Sequence, residues 1–458
     1  MKVIVCGAGQ VGYNIARHLS DQHNDVTVID RSPELIRRVT ETLDVQAIQG
    51  YASDPDLLDQ ANAKDADMII AVTHSDEVNM VACQVAHSLF DVPTKIARVR
   101  NQSYLEPAWQ QLFSRDHMPI DVIISPEVEV ARAVARRLQL PGAFEVVPFA
   151  NNNVQVIGTR IREGCPVVDT PLRQLTELFP NLNLTIMGVI RNHKMFVPKG
   201  DDQILNGDSI FFSVQTDQAR RALVAFGHDE KEAERVVIIG GGNIGLFLAR
   251  ELEQSGHQHS IKIIEQNQQR AEFIASKLND TTVINGDALD TEILKEANVS
   301  AAQTVVAVAN DDEVNILSSI LSKQVGADRS ITLINNPIYG PLMASLGVDV
   351  YVDPRETTVS TIIRHIRRGR IRGLFTIRAG EAEVIEAELM DQSSLVGSKL
   401  SEVDLPDGAI VGAVVRGDDV IMPRGELEFA SGDRVVIFAK SDVVRKVEQL
   451  FTVRIDFF

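Results

Sequence analysis

The chain has 458 residues, and at ~100–200 residues per domain this length indicates about three or four domains. Hydrophobic residues make up 44% of the chain, which is enough for packed cores and excludes a disordered protein. The formal net charge of -18 gives an acidic surface that repels phosphate, so we expect no general binding of nucleic acid or anionic lipid.

Cysteine use and hydropathy bear on the cellular compartment. Cys6, Cys83 and Cys165 are far apart, which fits neither a disulfide framework nor a metal site, so we expect no metal. The chain shows no secretory signal, and no apolar run approaches the ~20 residues of a membrane-spanning helix. We therefore expect a cytoplasmic protein that reaches a membrane only through a partner.

The first predicted elements are a strand, a glycine-rich loop and a helix. The apolar strand at residues 3–6 runs directly into the loop Gly7-Ala8-Gly9-Gln10-Val11-Gly12. Apolar residues four apart then predict a helix with one buried face: Val11, Ile15 and Leu19. A strand followed by GxGxxG and a helix is typical of dinucleotide-binding domains.

Each glycine of this loop has a distinct physical role in such a domain. Gly7 permits the tight turn off the strand, and Gly9 lets the backbone approach a pyrophosphate. Gly12 allows the helix to pack closely on the sheet, and the phosphates then lie at the positive end of the helix. The candidate contacts in this loop are Gly7, Ala8, Gly9, Gln10, Val11 and Gly12.

An acidic residue ends the second predicted strand. Asp30 follows Gly12 at the spacing, roughly 20 residues, where a carboxylate accepts hydrogen bonds from ribose hydroxyls. The same charge repels a 2′-phosphate, so NAD is favoured over NADP. Arg31 either stacks on the adenine or offsets the charge of Asp30.

The whole arrangement recurs in the second half of the chain at a nearly constant offset. The loop there is Gly240-Gly241-Gly242-Asn243-Ile244-Gly245, and Glu265 follows Gly245 at a spacing similar to that of Asp30 after Gly12. Segments 49–54 and 71–79 recur as 285–290 and 307–315. The repeat predicts a second nucleotide site, with these contacts: Gly240, Gly242, Asn243, Ile244, Gly245 and Glu265. Rossmann folds that have lost their ligand are the alternative.

Three further residues are candidates for lining the first site. Thr73 ends the fourth strand, and Asp54 is a candidate contact for the adenine. Arg98 ends the fifth strand and either reaches a phosphate or forms a surface salt bridge. If it reaches a phosphate, the first site suits ATP or ADP and the second suits NAD(H), because residues 331–335 contain no arginine. Likewise, no arginine comparable to Arg31 follows Glu265.

His74 and Asp76, beside Thr73, raise the question of acid–base chemistry. The second half has Asn310 in place of the histidine, so a solvated loop is the better interpretation. The chain also lacks HExxH, CxxC, the Walker lysine motif and GxSxG. These patterns predict nucleotide sensing without catalysis. The alternatives are an NAD-dependent oxidoreductase, an NADH-responsive transcription factor and a scaffold with empty sites.

The segments between and after the two Rossmann patterns also repeat. Residues 188–208 and 412–433 are short β-branched runs broken by turn residues, which predict small hairpin-rich domains. The predicted fold class is α/β, with tandem Rossmann-like parallel-sheet domains, each followed by a small β-rich domain. The expected domains are 1–130, 131–228, 234–362 and 363–458.

One basic segment stands out from the acidic background. Five arginines lie within residues 363–372: Arg364, Arg367, Arg368, Arg370 and Arg372. They form either a solvated face with ion pairs or a contact with an acidic or membrane-proximal partner.

These motifs and their tandem order closely resemble the TrkA family, the peripheral regulatory subunits of bacterial Trk potassium uptake systems. The resemblance covers essentially the whole chain and implies two RCK (regulator of K⁺ conductance) units, each an N-domain plus a C-domain. It further implies a tetrameric homo-oligomeric ring beneath a membrane K⁺-translocating Trk subunit. NAD(H) and ATP or ADP would bind in the N-domain clefts and gate K⁺ flux from the cytoplasmic face.

Overall fold

The computed structural model describes residues 1–179, 182–256, 259–366 and 371–451. These residues form two compact units. The first unit contains Met1–Val130 and the helix Pro354–Ile366. The second unit contains Ala131–Val352 and residues 371–451.

The first unit is built on a six-stranded parallel sheet with the order β3-β2-β1-β4-β5-β6. The strands are β1 (Lys2–Cys6), β2 (Asp25–Asp30), β3 (Gln46–Gln49), β4 (Met68–Ala71), β5 (Thr94–Arg98) and β6 (Val122–Ile124). The helices are α1 (Gln10–Asp21), α2 (Pro33–Thr42), α3 (Pro55–Gln60), α4 (Asp76–Phe90) and α5 (Pro126–Gln139), of which only residues 126–130 of α5 belong to this unit. This strand order is that of dinucleotide-binding Rossmann domains, in which ligands lie beyond the carboxyl ends of the strands.

Local sequence fixes where most of these helices begin. Ser32, Asp54 and Ser75 each precede a helix, and each side chain accepts a hydrogen bond from a backbone N–H of the first turn. The residue before α1 is instead Gly9, which has no side chain to cap the helix.

The second unit opens with a five-stranded antiparallel sheet of order β10-β9-β11-β8-β7. Its elements are β7 (Ala143–Phe149), β8 (Val154–Arg160), α6 (Leu172–Leu178), β9 (Leu184–Arg191), β10 (Lys194–Phe196), β11 (Ser209–Gln215) and α7 (Ala219–Ala225). The hairpins expected from the turn residues are present, and α7 packs on β8 and β11.

A second parallel sheet follows, with the order β14-β13-β12-β15-β16-β17, which repeats the order of the first. Its strands are β12 (Arg235–Ile239), β13 (Ser260–Glu265), β14 (Thr282–Asn285), β15 (Thr304–Ala307), β16 (Arg329–Leu333) and β17 (Val350–Val352). The helices are α8 (Asn243–Gln254), α9 (Gln268–Ala275), α10 (Thr291–Glu296), α11 (Asp312–Val325) and α12 (Pro354–Ile366).

The chain ends in a second antiparallel sheet, of order β18-β19-β22-β20-β21. Its elements are β18 (Ile371–Ile377), β19 (Ala382–Glu388), β20 (Ala409–Arg416), β21 (Asp419–Ile421), β22 (Arg434–Lys440) and α13 (Val444–Leu450). The predicted fold class is therefore confirmed: two parallel Rossmann-like sheets occur, each followed by a small antiparallel β-rich domain.

The two antiparallel sheets pack against each other within the second unit. Met187 and Phe211 of the first sheet share one buried cluster with Ala413 and Phe438 of the second. Gly412 also accepts a hydrogen bond from the Ser213 hydroxyl at 2.7 Å. An ideal Cβ on Gly412 would lie 2.3 Å from the sulfur of Met187, so the close approach requires glycine.

Helix α12 belongs to the second half in sequence but packs on α1 in the first unit. Ile362 and Ile363 are buried, and the Thr361 hydroxyl lies 3.4 Å from a carboxylate oxygen of Glu129. The helix that follows the second parallel sheet therefore contacts the helix that follows the first glycine loop.

The basic segment is only partly described. Arg364 lies in α12, whereas Arg367, Arg368 and Arg370 lie outside the described residues. Arg372 is exposed and pairs with Glu388 at 2.8 Å, as expected of a solvated face.

A buried aspartate paired with an arginine recurs in both small domains. Arg191 donates to both carboxylate oxygens of Asp208, at 2.9 and 2.7 Å, and Arg416 donates to both of Asp433, at 2.7 and 2.8 Å. Asp433 also accepts a hydrogen bond from the backbone N–H of Ala430. The repeated segments Gly207-Asp208 and Gly432-Asp433 therefore each supply a buried carboxylate as well as a turn.

We predict that Asp433→Ala lowers the free energy of unfolding by about 2–3 kcal/mol, because it removes a charge-assisted bidentate pair and leaves a loop N–H unpaired. Urea denaturation of the full chain measures the change. Asp418→Ala, in the exposed turn between β20 and β21, is the matched control and should hardly change the free energy of unfolding. Equal free energies of unfolding for the two variants would show that the Arg416–Asp433 pair contributes little to stability.

Candidate nucleotide-binding clefts

The first cleft lies at the carboxyl ends of β1, β2, β4 and β5, where the glycine loop joins β1 to α1. Gly7 has φ +108°, a left-handed conformation that residues with a Cβ rarely adopt. An ideal Cβ on Gly12 would lie 1.8 Å from the carbonyl oxygen of Gly7. The protein's own packing therefore requires glycine at both positions.

Gly9 and its counterpart Gly242 differ from the other loop glycines. Each has φ −61°, and a Cβ built on either one meets no atom within 4 Å. Internal packing thus gives no reason for glycine here. Both residues lie at the N-terminus of a helix, where unpaired backbone N–H groups and the helix dipole attract anions. Open space at this point leaves room for a phosphate against the backbone.

The two predicted carboxylates hold the glycine loops. Asp30 accepts hydrogen bonds from the N–H of Ala8 at 2.7 Å and of Ser32 at 2.8 Å. Glu265 accepts from the N–H of Gly241 at 2.7 Å and of Asn267 at 2.8 Å. Both carboxylates are half-buried, and each oxygen retains a lone pair for a further donor such as a ribose hydroxyl.

The remaining loop residues lie at the mouth of the clefts. Gln10 and Asn243 are the exposed first residues of α1 and α8. Val11 and Ile244 are half-buried. The second loop also repeats the tight glycine packing of the first: Gly240 has φ +101°, and a Cβ on Gly245 would lie 2.1 Å from the carbonyl oxygen of Gly240. The two loops therefore share one geometry.

A buried asparagine fixes the far wall of each cleft. The side chain of Asn79 accepts from the N–H and hydroxyl of Thr73, at 2.8 and 2.7 Å, and donates to the carbonyl of Arg98 at 2.9 Å. Asn315 bonds to Ala309 and Leu333 in the same way. Sequence reasoning missed both asparagines, although their recurrence in Asp-Glu-Val-Asn was a signal.

The expectation of a solvated loop after β4 is correct for His74 and wrong for Asp76. His74 is exposed, whereas Asp76 is buried and accepts hydrogen bonds from the N–H groups of Arg100 and Asn101. Asp312 does the same for Asn335 and Asn336. These carboxylates tie the end of the fifth strand to the helix after the fourth.

Arg98 forms no ion pair with any described carboxylate, so the surface salt bridge is not the arrangement the structure shows. Its guanidinium donates to the carbonyl of Thr73 at 2.8 Å. Its Nε is buried and has no hydrogen-bond partner among the described residues. Burial lowers the pKa of Arg98 below its ordinary value. The nearby carboxylates of Glu127 and Asp76 oppose this shift without forming an ion pair, so the buried Nε still has a donor free for an incoming anion.

Asp54 lies beyond the end of β3 and is exposed. Its carboxylate caps α3 by accepting from the N–H of Asp56 at 3.1 Å. Asp290 caps α10 in the same manner. The structure thus assigns Asp54 a structural role in addition to the adenine contact expected from the sequence.

The second cleft contains an arginine that sequence reasoning overlooked. Arg270, on α9, donates from Nε to the carbonyl of Gly241 at 2.7 Å and from an Nη to the side chain of Asn243 at 3.2 Å. Gln266 stands at the position that matches Arg31, so the arginine of the second cleft comes from a different position, on α9. Arg31 is exposed in the first half, whereas Arg270 lies directly against the glycine loop.

Two further features of the described residues concern metal-binding groups and membrane-spanning helices. In these ranges, no group of three or more histidine, cysteine or carboxylate side chains is placed to hold a metal ion. None of the helices in the described ranges is both long and apolar enough to cross a membrane.

Comparison with known proteins places this fold in one class, the proteins with tandem pairs of TrkA-N and TrkA-C domains. The TrkA-N domain model matches residues 3–126 and 236–354, and the TrkA-C domain model matches residues 156–227 and 384–452. The chain belongs to the TrkA family.

Full-length relatives agree with the domain models. The chain is 51% identical over 458 residues to the Trk system potassium uptake protein TrkA of Azorhizobium caulinodans, with all of both chains covered. It is 40% identical over 462 residues to the protein of the same name from Halomonas elongata, again with both chains fully covered.

Solved structures share the fold at low identity. The GsuK RCK domain is 18% identical with a TM-score of 0.59, over 98% of this chain and 94% of that one. The GsuK channel bound to NAD is 18% identical with a TM-score of 0.60, over 98% of this chain and 78% of that one. At this identity the likeness shows the fold alone.

The contrast between Gly9 and Gly12 gives a stability test. We predict that Gly12→Ala lowers the free energy of unfolding by about 2–3 kcal/mol, because its Cβ overlaps the Gly7 carbonyl. Gly9→Ala should cost less than about 1 kcal/mol, because its Cβ enters open space. Urea denaturation of both variants measures the difference. A large loss in Gly9→Ala would show that internal packing, and not a ligand, requires that glycine.

Proposed function

We propose that this chain is a peripheral regulatory subunit of a Trk-type K⁺ uptake system, which binds NAD(H) and ATP or ADP in its two Rossmann clefts. The observation that carries the proposal is the pair of open helix N-termini at Gly9 and Gly242, each in a loop that is bonded to a carboxylate. Phosphate at the helix and ribose at the carboxylate are the two contacts that a bound dinucleotide makes in such a fold.

Binding would act by shifting a conformational equilibrium of the regulator. A ligand gates only through its different affinity for two states. Helix α1 carries the first phosphate position at its N-terminus and packs on α12, which leads from the second Rossmann domain to the second small domain. A shift of α1 would therefore reach the second half of the chain through α12.

The proposed assembly follows the family. A homotetrameric ring would lie at the inner face of the cell membrane and contact the K⁺-translocating subunit. The proposed domains are 1–130, 131–228, 234–362 and 363–458. The proposed ligand contacts are the candidate residues of the two glycine loops, together with Asp30, Asp54, Thr73, Arg98 and Glu265. Catalysis forms no part of the proposal.

The clefts give the proposal chemical detail. In the first, the unpartnered Nε of Arg98 supports a ligand with a charged terminal phosphate, such as ATP or ADP. In the second, Leu333 stands at the equivalent position and supports NAD(H). In both, the carboxylate at the ribose position disfavours NADPH.

We predict that Asp30→Ala weakens nucleotide binding at the first cleft about 10–100-fold and leaves the second nearly unchanged, because a charge-assisted hydrogen bond contributes ~1.5–3 kcal/mol. Calorimetric titration with NADH, NADPH, ATP and ADP, with turnover assayed in parallel, measures both sites. Asp25→Ala, at the opposite end of β2 and exposed, is the matched control.

Three outcomes of this titration bear on the proposal. Binding of NAD(H) or ATP/ADP without turnover supports a sensor. Steady NADH oxidation would favour an oxidoreductase instead. No binding of any nucleotide would mean that the loops are structural relics.

A further inference from the structure

Arg270 and Arg98 occupy different positions in the two halves. In the register that aligns Asp30 with Glu265, the residue matching Arg270 is Leu35, and the residue matching Arg98 is Leu333. Neither leucine side chain can donate a hydrogen bond or carry charge. Arg98 and Arg270 are therefore each present in one cleft only, on opposite walls.

The surroundings of Arg270 place its charge beside the helix N-terminus. Its Nε bonds to the carbonyl of Gly241, next in the chain to the open residue Gly242. An Nη bonds to Asn243, the first residue of α8. The guanidinium carbon lies 5.1 Å from the ring centroid of Phe273, which is 45% exposed. The side chain thus crosses the loop at the point where a diphosphate would meet the helix.

The hydrogen bonds of Arg270 leave capacity for an anion. A guanidinium carries five N–H donors in a fixed fork, and these two bonds engage two of them. The bond to Asn243, at 3.2 Å, is the longer of the two and ends on a neutral side chain. Phosphate oxygens form shorter and stronger bonds with guanidinium than a neutral amide does. A phosphate can therefore replace Asn243 as the hydrogen-bond acceptor of the Arg270 Nη, while the Arg270 Nε stays bonded to the carbonyl of Gly241.

The negative charge of Glu265 does not neutralise the positive charge of Arg270 at this site. Glu265 is committed to the N–H groups of Gly241 and Asn267 on the ribose side of the loop. Burial lowers the pKa of Arg270, and the charge of Glu265 opposes that shift, so the guanidinium keeps its charge at neutral pH. The second cleft thus presents a carboxylate for the ribose and a cation for the phosphates.

We propose that Arg270 is the phosphate-binding cation of the second cleft and makes that cleft selective for adenine nucleotides that carry a diphosphate. This inference rests on the proposed function of the clefts. In the second cleft, the positive charge of Arg270 lies beside the diphosphate position at the helix. In the first cleft, the positive charge of Arg98 lies on the far wall. The two clefts therefore recognise different parts of a nucleotide's phosphate chain.

The experiment isolates the second cleft in the full chain. Gly9→Asp places a carboxylate at the phosphate position of the first cleft, where its Cβ meets open space, and so silences that cleft without disturbing packing. In this background, calorimetry measures the affinities for ADP, NADH and uncharged adenosine. The affinities of the chain with Arg270 are compared with those of the Arg270→Leu variant. The titrations are repeated at two salt concentrations.

We expect Arg270→Leu to weaken ADP and NADH binding about 10-fold or more, to leave adenosine unchanged, and to reduce the salt dependence of ADP binding. Lys277→Leu removes a neighbouring charge that also contacts Phe273, at 5.8 Å, and should change nothing. Arg270→Gln keeps hydrogen-bonding ability without the charge, so it should behave like Arg270→Leu even if the leucine variant folds poorly.

Three results would overturn the proposal. The first is unchanged ADP affinity in both Arg270 variants. The second is an equal loss for ADP and adenosine, which would mean that Arg270 only shapes the loop. The third is the absence of any nucleotide binding in the Gly9→Asp background, which would remove the proposed function of the second cleft itself. Binding there together with an inert Arg270 would leave the proposed function intact.

Discussion

The hydrogen bond from the glycine loop to the carboxylate at the end of the neighbouring strand is the interaction on which both clefts depend. The bond from the Ala8 N–H to Asp30 and the bond from the Gly241 N–H to Glu265 have the same length, 2.7 Å, in the two separate Rossmann domains. The bond fixes the turn that starts the helix, and under the proposed function it sets the distance between the phosphate and ribose positions. A nucleotide that reaches both must use the remaining lone pairs of a carboxylate that already holds its own loop.

Around this shared bond the two halves differ in charge. The scaffold is common. Asn79 and Asn315 join the ends of the fourth and fifth strands of their sheets, and Asp76 and Asp312 tie the segment after the fifth strand to the helix after the fourth. The arginines are not common to both halves. The parts that hold each cleft open are thus the same in both halves, whereas the arginines beside it differ. Under the proposed function, two different sites on one chain would let the regulator respond to two nucleotides.

Much of the fold could be predicted because its signals are local. A strand, GxGxxG, a helix with an apolar stripe and an acid at the next strand's end fall within about thirty residues, and the sequence repeats the pattern. The strand order follows from that motif. The small domains were predictable from β-branched runs and turn residues.

The rest depends on contacts between distant residues. Arg270 is one of several arginines in the sequence, and only the fold of α9 brings it back to Gly241. Asp208 and Asp433 resembled turn formers, because their partners Arg191 and Arg416 lie 17 residues away on another strand. The packing of α12 on α1 joins segments from different halves of the chain, beyond the reach of any local pattern.

The most direct test of the central claim is K⁺ flux through the membrane Trk subunit reconstituted with this protein, with and without nucleotide. The account predicts that NAD(H) or ATP/ADP changes the flux and that the double variant Gly9→Asp/Gly242→Asp abolishes the response while the chain stays folded. A flux that is the same with and without this protein, or a nucleotide response that survives in the double variant, would contradict the account.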